Sequence, residues 1–216
     1  MITQTKDTQN KITHERALAM LKKGNARYLQ NTMINRDLRE QVETTGFDGQ
    51  APHSVILSCI DSRVTSEYIF DQGIGDIFSA RVAGNFVNTD ILGSMEFAVV
   101  AAGVKLIVVL GHTACGAVKG TCDYFFKDPT PGFPENLVEM VEQIRPAADL
   151  EAIAQPNVDH TSANSEFIQA VSDLNVKNAM ENIMKNSPAL AKEIKDGDVA
   201  LIGAMYDVKS GEVTWM

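Results

Sequence analysis

Apolar residues are unevenly spread along the chain. Three short runs, Ser54-Val55-Ile56-Leu57-Ser58, residues 76–82 and Leu106-Ile107-Val108-Val109-Leu110-Gly111, are apolar at consecutive rather than alternating positions. Strands buried on both faces carry that pattern. Between the runs, residues 65–71 and 89–102 read as short helices, the second apolar from Asp90 onward and stopped at Gly103. Strands alternating with helices through short links predict a parallel α/β sheet.

The flanks are more polar. Residues 1–12 read as a flexible arm, and Thr13 is placed to cap a helix over 14–30 carrying Ala17, Leu18, Leu21, Tyr28 and Leu29. Residues 32–50 read as irregular, ending in Gly46, Gly49 and Gln50. Beyond the third apolar run, 116–126 reads as helix, and Pro129, Pro131, Gly132 and Pro134 then interrupt it. Two longer amphipathic helices follow over 135–153 and 163–186, with a further turn or two over 188–195. Residues 199–202 and 212–215 read as closing strands around a Ser210-Gly211 turn. The expected architecture is α/β, with a central, mainly parallel β-sheet flanked by helices and an N-terminal helical arm, in one domain spanning 1–216.

Composition narrows the function. A hydrophobic content of 44% supports a sizeable core. A net charge of −9 with no basic cluster speaks against nucleic acid as a partner and requires any anion site to carry local positive charge. Three cysteines, an odd number, are too few for a disulfide framework and fit reduced thiols in a cytoplasm. Residues 1–11 show no apolar signal core, and a periplasmic location would require that a signal peptide had been removed. No run approaches the roughly 20 apolar residues of a membrane span.

The chemistry gathers at the ends of two of the strands. Cys59, Asp61 and Arg63 follow the first apolar run, and His112 and Cys115 follow the third. Carboxyl ends of neighbouring parallel strands open to one edge of a sheet, so the two groups are expected to converge. Two thiolates and one imidazole form a set suited to zinc with a fourth position open, the catalytic pattern. Such a metal lowers the pKa of bound water towards neutrality. Arg63 is placed to pair with Asp61, keep it ionised and stop it from taking the open position. Gly116, opening the next helix, offers a backbone N–H for a developing oxyanion.

Plainer readings compete. Cys122 lacks a partner motif and reads as a small apolar residue. Cys59 and Cys115 are also compatible with a disulfide, which would leave His112 and the Asp61–Arg63 pair unexplained. Arg63 also fits a plain structural ion pair. His14 and His160 are expected to be solvated, and His53 to sit in a loop.

Cys59-Ile60-Asp61-Ser62-Arg63 and Gly111-His112-Thr113-Ala114-Cys115-Gly116 resemble the two signatures of the β-class carbonic anhydrases. The resemblance continues through Phe78, Arg81, Asn85 and Glu96 to the segment from Gly203-Ala204 to Val213. It implies reversible hydration of carbon dioxide to bicarbonate, one zinc per chain on Cys59, His112 and Cys115, and Asp61 with Arg63 as a gating pair. It also places Gln50 as a hydrogen-bonding group for substrate and Phe78 on an apolar pocket wall. A pocket built partly from a second subunit is implied, hence a homodimer or a dimer of dimers. Two departures stand out. Phe97 occupies a position where plant members carry tyrosine. Ile56 stands where bacterial members with an inhibitory bicarbonate site carry tryptophan, although Arg81 matches the arginine of that site, so regulation of that kind is not expected. Hydrolysis of carbonyl sulfide or carbon disulfide on the same metal, or a structural zinc or interaction protein, are the alternatives.

Overall fold

The computed structural model describes residues 3–216. In chain order the elements are α1 (Lys6–Gln9), α2 (His14–Leu29), α3 (Leu38–Asp48), β1 (Ser54–Ser58), α4 (Ser66–Ile69), β2 (Ile77–Arg81), α5 (Thr89–Glu96), β3 (Leu106–His112), α6 (Gly116–Phe126), α7 (Glu135–Ala154), α8 (Ser165–Asn186), α9 (Pro188–Lys195), β4 (Ala200–Tyr206) and β5 (Val213–Trp215). The end of α5 widens into a π-helical turn, Phe97–Ala101. The five strands form one sheet in the order β2-β1-β3-β4-β5, parallel except for β5.

The continuous apolar runs of β1 and β3 are explained by burial on both sides of the sheet, whereas β2, at the sheet edge, departs from the expectation: Ser79 and Arg81 are exposed. Val55, Leu57, Ile107 and Val109 face a core shared with α5, α8 and α9. Ile56, Leu106, Val108 and Leu110 face the opposite core, against α2 and α4. Each such side chain, once buried, contributes about 1.5–3 kcal/mol. Helix α2 comes close enough to the end of α4 that a Cβ on Gly24 would lie 1.7 Å from the Phe70 carbonyl oxygen. Only glycine fits that approach. A third core, holding Cys59, Cys115, Val118, Ile144, Phe167 and Val171, closes the carboxyl end of the sheet beneath α6, α7 and α8.

Two expectations are corrected. Residues 38–48 are helical, not irregular: the Asp37 side chain accepts from the Glu40 N–H at 3.0 Å and starts α3. Only Gln41 of that helix is buried, so it shows no apolar stripe. Residues 3–12 are not a loose arm. Gln9 is 1% exposed and donates to the Ala102 carbonyl at 3.0 Å, and Ile12 joins the α2 core. Residues 1–2 of the expected arm lie outside the described residues. Among the described residues, no helix is long and apolar enough to cross a membrane.

Candidate metal centre

Strand β1 delivers Cys59 and strand β3 delivers His112, and the two strands are hydrogen-bonded neighbours. Cys115 sits at the N-cap of α6 after a tight turn in which Ala114 adopts φ +56°. A non-glycine residue in that left-handed region is strained and persists only when its surroundings hold it. Here Thr113 is held on both sides of its peptide. Its N–H donates to the Tyr206 carbonyl at 2.9 Å, and its hydroxyl accepts from the Val208 N–H at 3.0 Å. The end of β4 thus shapes the turn that aims Cys115.

The candidate ligand atoms of Cys59, His112 and Cys115 all lie within 4.8 Å of one another, and all three residues are buried. His112 Nδ1 faces the Thr113 carbonyl at 3.0 Å, which makes Nδ1 the protonated nitrogen. Its Nε2 is then a lone-pair acceptor, and it is buried with no hydrogen-bond partner among the described residues. An orphaned imidazole nitrogen between two thiols is what a divalent soft metal needs. The Gly84 N–H donates to Cys59 Sγ at 3.3 Å, favouring the thiolate. A hydrogen bond from Cys115, with smaller help from Gly84, lowers the Cys59 thiol pKa. The same sharing with Cys59, together with burial, raises that of Cys115.

Asp61 stands beside this cluster, its Oδ2 4.0 Å from His112 Nε2. Arg63 holds it through Nε to Oδ1 at 2.9 Å, Nη2 to Oδ2 at 2.8 Å and its own backbone N–H at 3.0 Å. Those hydrogen bonds outweigh partial burial and keep the Asp61 carboxyl well below the usual carboxylate range. Arg81, at the end of β2, donates to the carbonyls of Cys59 (3.1 Å) and Asp61 (2.8 Å). It therefore fastens the ligand-bearing segment from the neighbouring strand, a role its sequence position did not reveal. Ile56 is fully buried in the α2-side core. A cavity of about 360 Å³ opens on Cys59, Asp61 and Gly116, walled by Ala117, Phe133, Leu137 and Met140.

The family model described as Carbonic anhydrase matches residues 54–213, which include every residue of this cluster. The chain belongs to the β-class carbonic anhydrases. It is 35% identical over 191 residues to carbonic anhydrase 2 of Mycobacterium tuberculosis, covering 88% of this chain and 87% of that one. It is 32% identical over 197 residues to a carbonic anhydrase of Mycolicibacterium smegmatis, covering 89% and 88%. Among solved structures it resembles the β-carbonic anhydrase CcaA, with a TM-score of 0.70, 26% identity and 93% coverage of both chains. A tetrameric β-carbonic anhydrase of Sordaria macrospora shares the fold, with a TM-score of 0.69 at 23% identity over 82% of this chain and 90% of that one. Membership brings carbonate dehydratase activity, the hydration of carbon dioxide.

Gln50 and Phe78 do not join the cluster within one β-class chain. Gln50 is exposed beside Gly75, before β1, with the whole strand between it and Cys59. Phe78 pairs in register with Val55 and lines an open groove of about 770 Å³ with Arg81, Ile91 and Phe97. Phe78 and Phe97 meet edge to face at 6.3 Å, and Phe97 is 59% exposed. Three other expectations resolve outside the site. His53 is fully buried, bonding Ser54 Oγ at 2.7 Å through Nδ1 and Gln72 Oε1 at 3.1 Å through Nε2, and burial lowers its pKa. His160 is half-buried rather than solvated, its ring 4.8 Å from that of Phe167. Cys122 is buried inside α6, its thiol pushed up to about 12 by burial.

Proposed function

We propose that the chain converts carbon dioxide and water reversibly to bicarbonate and a proton with one zinc on Cys59, His112 and Cys115. The observation that carries this reading is the buried, unpartnered His112 Nε2 within 4.8 Å of both thiol sulfurs. Zinc bound there supplies Lewis-acid activation of water near neutral pH.

The chain's own residues do the rest. Thr113 fixes the His112 tautomer through its carbonyl, so Nε2 keeps its lone pair. Gly84 and Arg81 hold Cys59 in place, one at the sulfur and one at the backbone. Asp61, ionised and clamped by Arg63, accepts a hydrogen bond from the attacking water and orients it. Gly116, on the cavity wall at the start of α6, offers its N–H to the oxygen that gains charge. The apolar cavity wall of Ala117, Phe133, Leu137 and Met140 suits a small, uncharged substrate.

Gln50 and Phe78 enter this reading through a second copy of the chain. The exposed Phe78–Phe97 groove is a face that a homodimer, alone or within a dimer of dimers, buries, bringing Gln50 and Phe78 to the substrate side of the other copy's centre.

Stopped-flow carbon dioxide hydration with zinc measured in the same sample tests the proposal. Rapid hydration with one zinc per chain is expected, both lost in Cys59→Ser. Full zinc without hydration at pH 8.5 would overturn it.

A further inference from the structure

A further cavity, of about 280 Å³ and lined mainly by polar side chains, lies where α2 meets the chain around Arg36 and the loop entering β2. It shares no lining residue with the cavity at the metal centre. Its wall carries three cations, Lys23, Arg27 and Arg36, the side-chain amides of Gln4 and Gln72, and the carboxylate of Asp76.

The hydrogen bonds around it are incomplete. Asp71 is fully buried and receives Arg27 Nε, Arg36 Nη1 and the Ile34 N–H on its two carboxylate oxygens. One carboxylate thus serves two guanidiniums. The Arg36 side chain is only 7% exposed. Its Nη2 donates to the Asp71 carbonyl at 2.6 Å, yet its Nε is buried with no acceptor among the described residues. The Gln4 amide nitrogen is in the same condition. Lys23 forms no ion pair among the described residues. Three cations against Asp71 and Asp76 leave one positive charge over. Buried donors without acceptors are costly, and a positive remainder in a partly enclosed site favours an anion.

We propose that this cavity binds a small tetrahedral oxyanion of the inorganic phosphate class, its oxygens accepting from Arg36 Nε, Gln4 Nε2 and Lys23 Nζ. Water alone would supply acceptors but no charge. The Asp76 carboxylate in the wall suits an anion that still carries a hydroxyl, as hydrogen phosphate does.

Titration calorimetry of inorganic phosphate into the zinc-loaded protein, at constant ionic strength with chloride as the balancing anion, tests the proposal. Thermal unfolding is followed in the same buffers. Saturable binding of one phosphate per chain is expected, with an unfolding temperature that climbs with phosphate concentration. Lys23→Gln and Gln4→Leu each remove one donor and lie outside the Asp71 network, so the fold does not depend on them as it does on Arg36. Each is expected to weaken binding roughly tenfold while carbon dioxide hydration without phosphate stays unchanged. Absence of saturable binding in the parent protein, or parental affinity in both variants, would overturn the site.

Discussion

Arg63 reaches back two residues to hold both carboxylate oxygens of Asp61, whose Oδ2 is 4.0 Å from His112 Nε2. In the proposed mechanism the clamp keeps Asp61 towards the attacking water and off the metal. Arg63→Ala frees the carboxylate to turn inward. Hydration is expected to fall about a hundredfold, the scale of a misplaced catalytic group, with zinc retained. Unchanged kcat/KM in this variant would remove Asp61 gating from the mechanism.

Asp61 is held well below the ordinary carboxylate range, so it is ionised throughout the neutral region and cannot shape the pH profile there. Activity is expected to rise with pH between about 6 and 9, following the activated water. A flat stopped-flow profile over that interval would contradict water as the titrating group.

Gly84 combines a left-handed backbone, φ +78°, with a hydrogen bond to Cys59 Sγ. A Cβ there would lie 2.4 Å from Ile144 Cδ1. Gly84→Ala is expected to cost about 1–3 kcal/mol in urea unfolding and to weaken zinc retention against a chelator. Parental values on both counts would show that neither the contact nor the sulfur hydrogen bond matters.

Acid should destabilise the fold in two stages. Burial lowers the His53 pKa from 6.5, so the unfolded chain takes up that proton first. The stability carried by the neutral ring is complete above pH 6.5 and drains away as pH falls towards the folded value. The second stage belongs to Asp71. Burial opposes its charge, but hydrogen bonds from Arg27, Arg36 and Ile34 leave its pKa lowered. Its contribution is present above the ordinary aspartate range, about 3.9, and is lost as pH drops through the folded value. Urea midpoints against pH should show both stages, and His53→Gln should abolish only the first.

Metal removal exposes the contrast between the thiols. Cys59, its pKa lowered by Cys115 and Gly84, should be alkylated by iodoacetamide near neutral pH once zinc is chelated. Cys122, fully buried and pushed up to about 12, should remain unmodified. Peptide mass mapping reads both, and preferential labelling of Cys122 would contradict the assignment.

The sheet and the metal cluster were legible because their signals are local. Val55 to Leu57 and Leu106 to Leu110 are buried on both faces, and the chemistry begins within a residue or two of where those runs stop. Helix α3 escaped because Gln41 is its one buried residue, although Asp37 with Glu40 three positions later was an available start signal. His53 stands in a loop before β1, as expected, but its burial was not legible, because a polar trio with Ser54 and Gln72 depends on a residue 19 positions away, which no pattern around it announces. Arg81 was aligned with a regulatory position, whereas its bonds to the Cys59 and Asp61 carbonyls follow from the β1–β2 register. Gln50 and Phe78 carried family meaning but not an address, since motif position does not say that both lie away from the cluster of their own chain.

The grip of Tyr206 and Val208 on Thr113 also has a consequence for biogenesis. Cys59, His112 and Cys115 leave the ribosome long before β4, but the turn that presents Cys115 is held by that late strand. A nascent chain therefore carries its ligands for some 90 residues of synthesis before they are locked into shape. With zinc on these residues as proposed, stable loading is expected to be a closing event of folding, and a chain that loses β4 should forfeit its metal even with all three ligands intact.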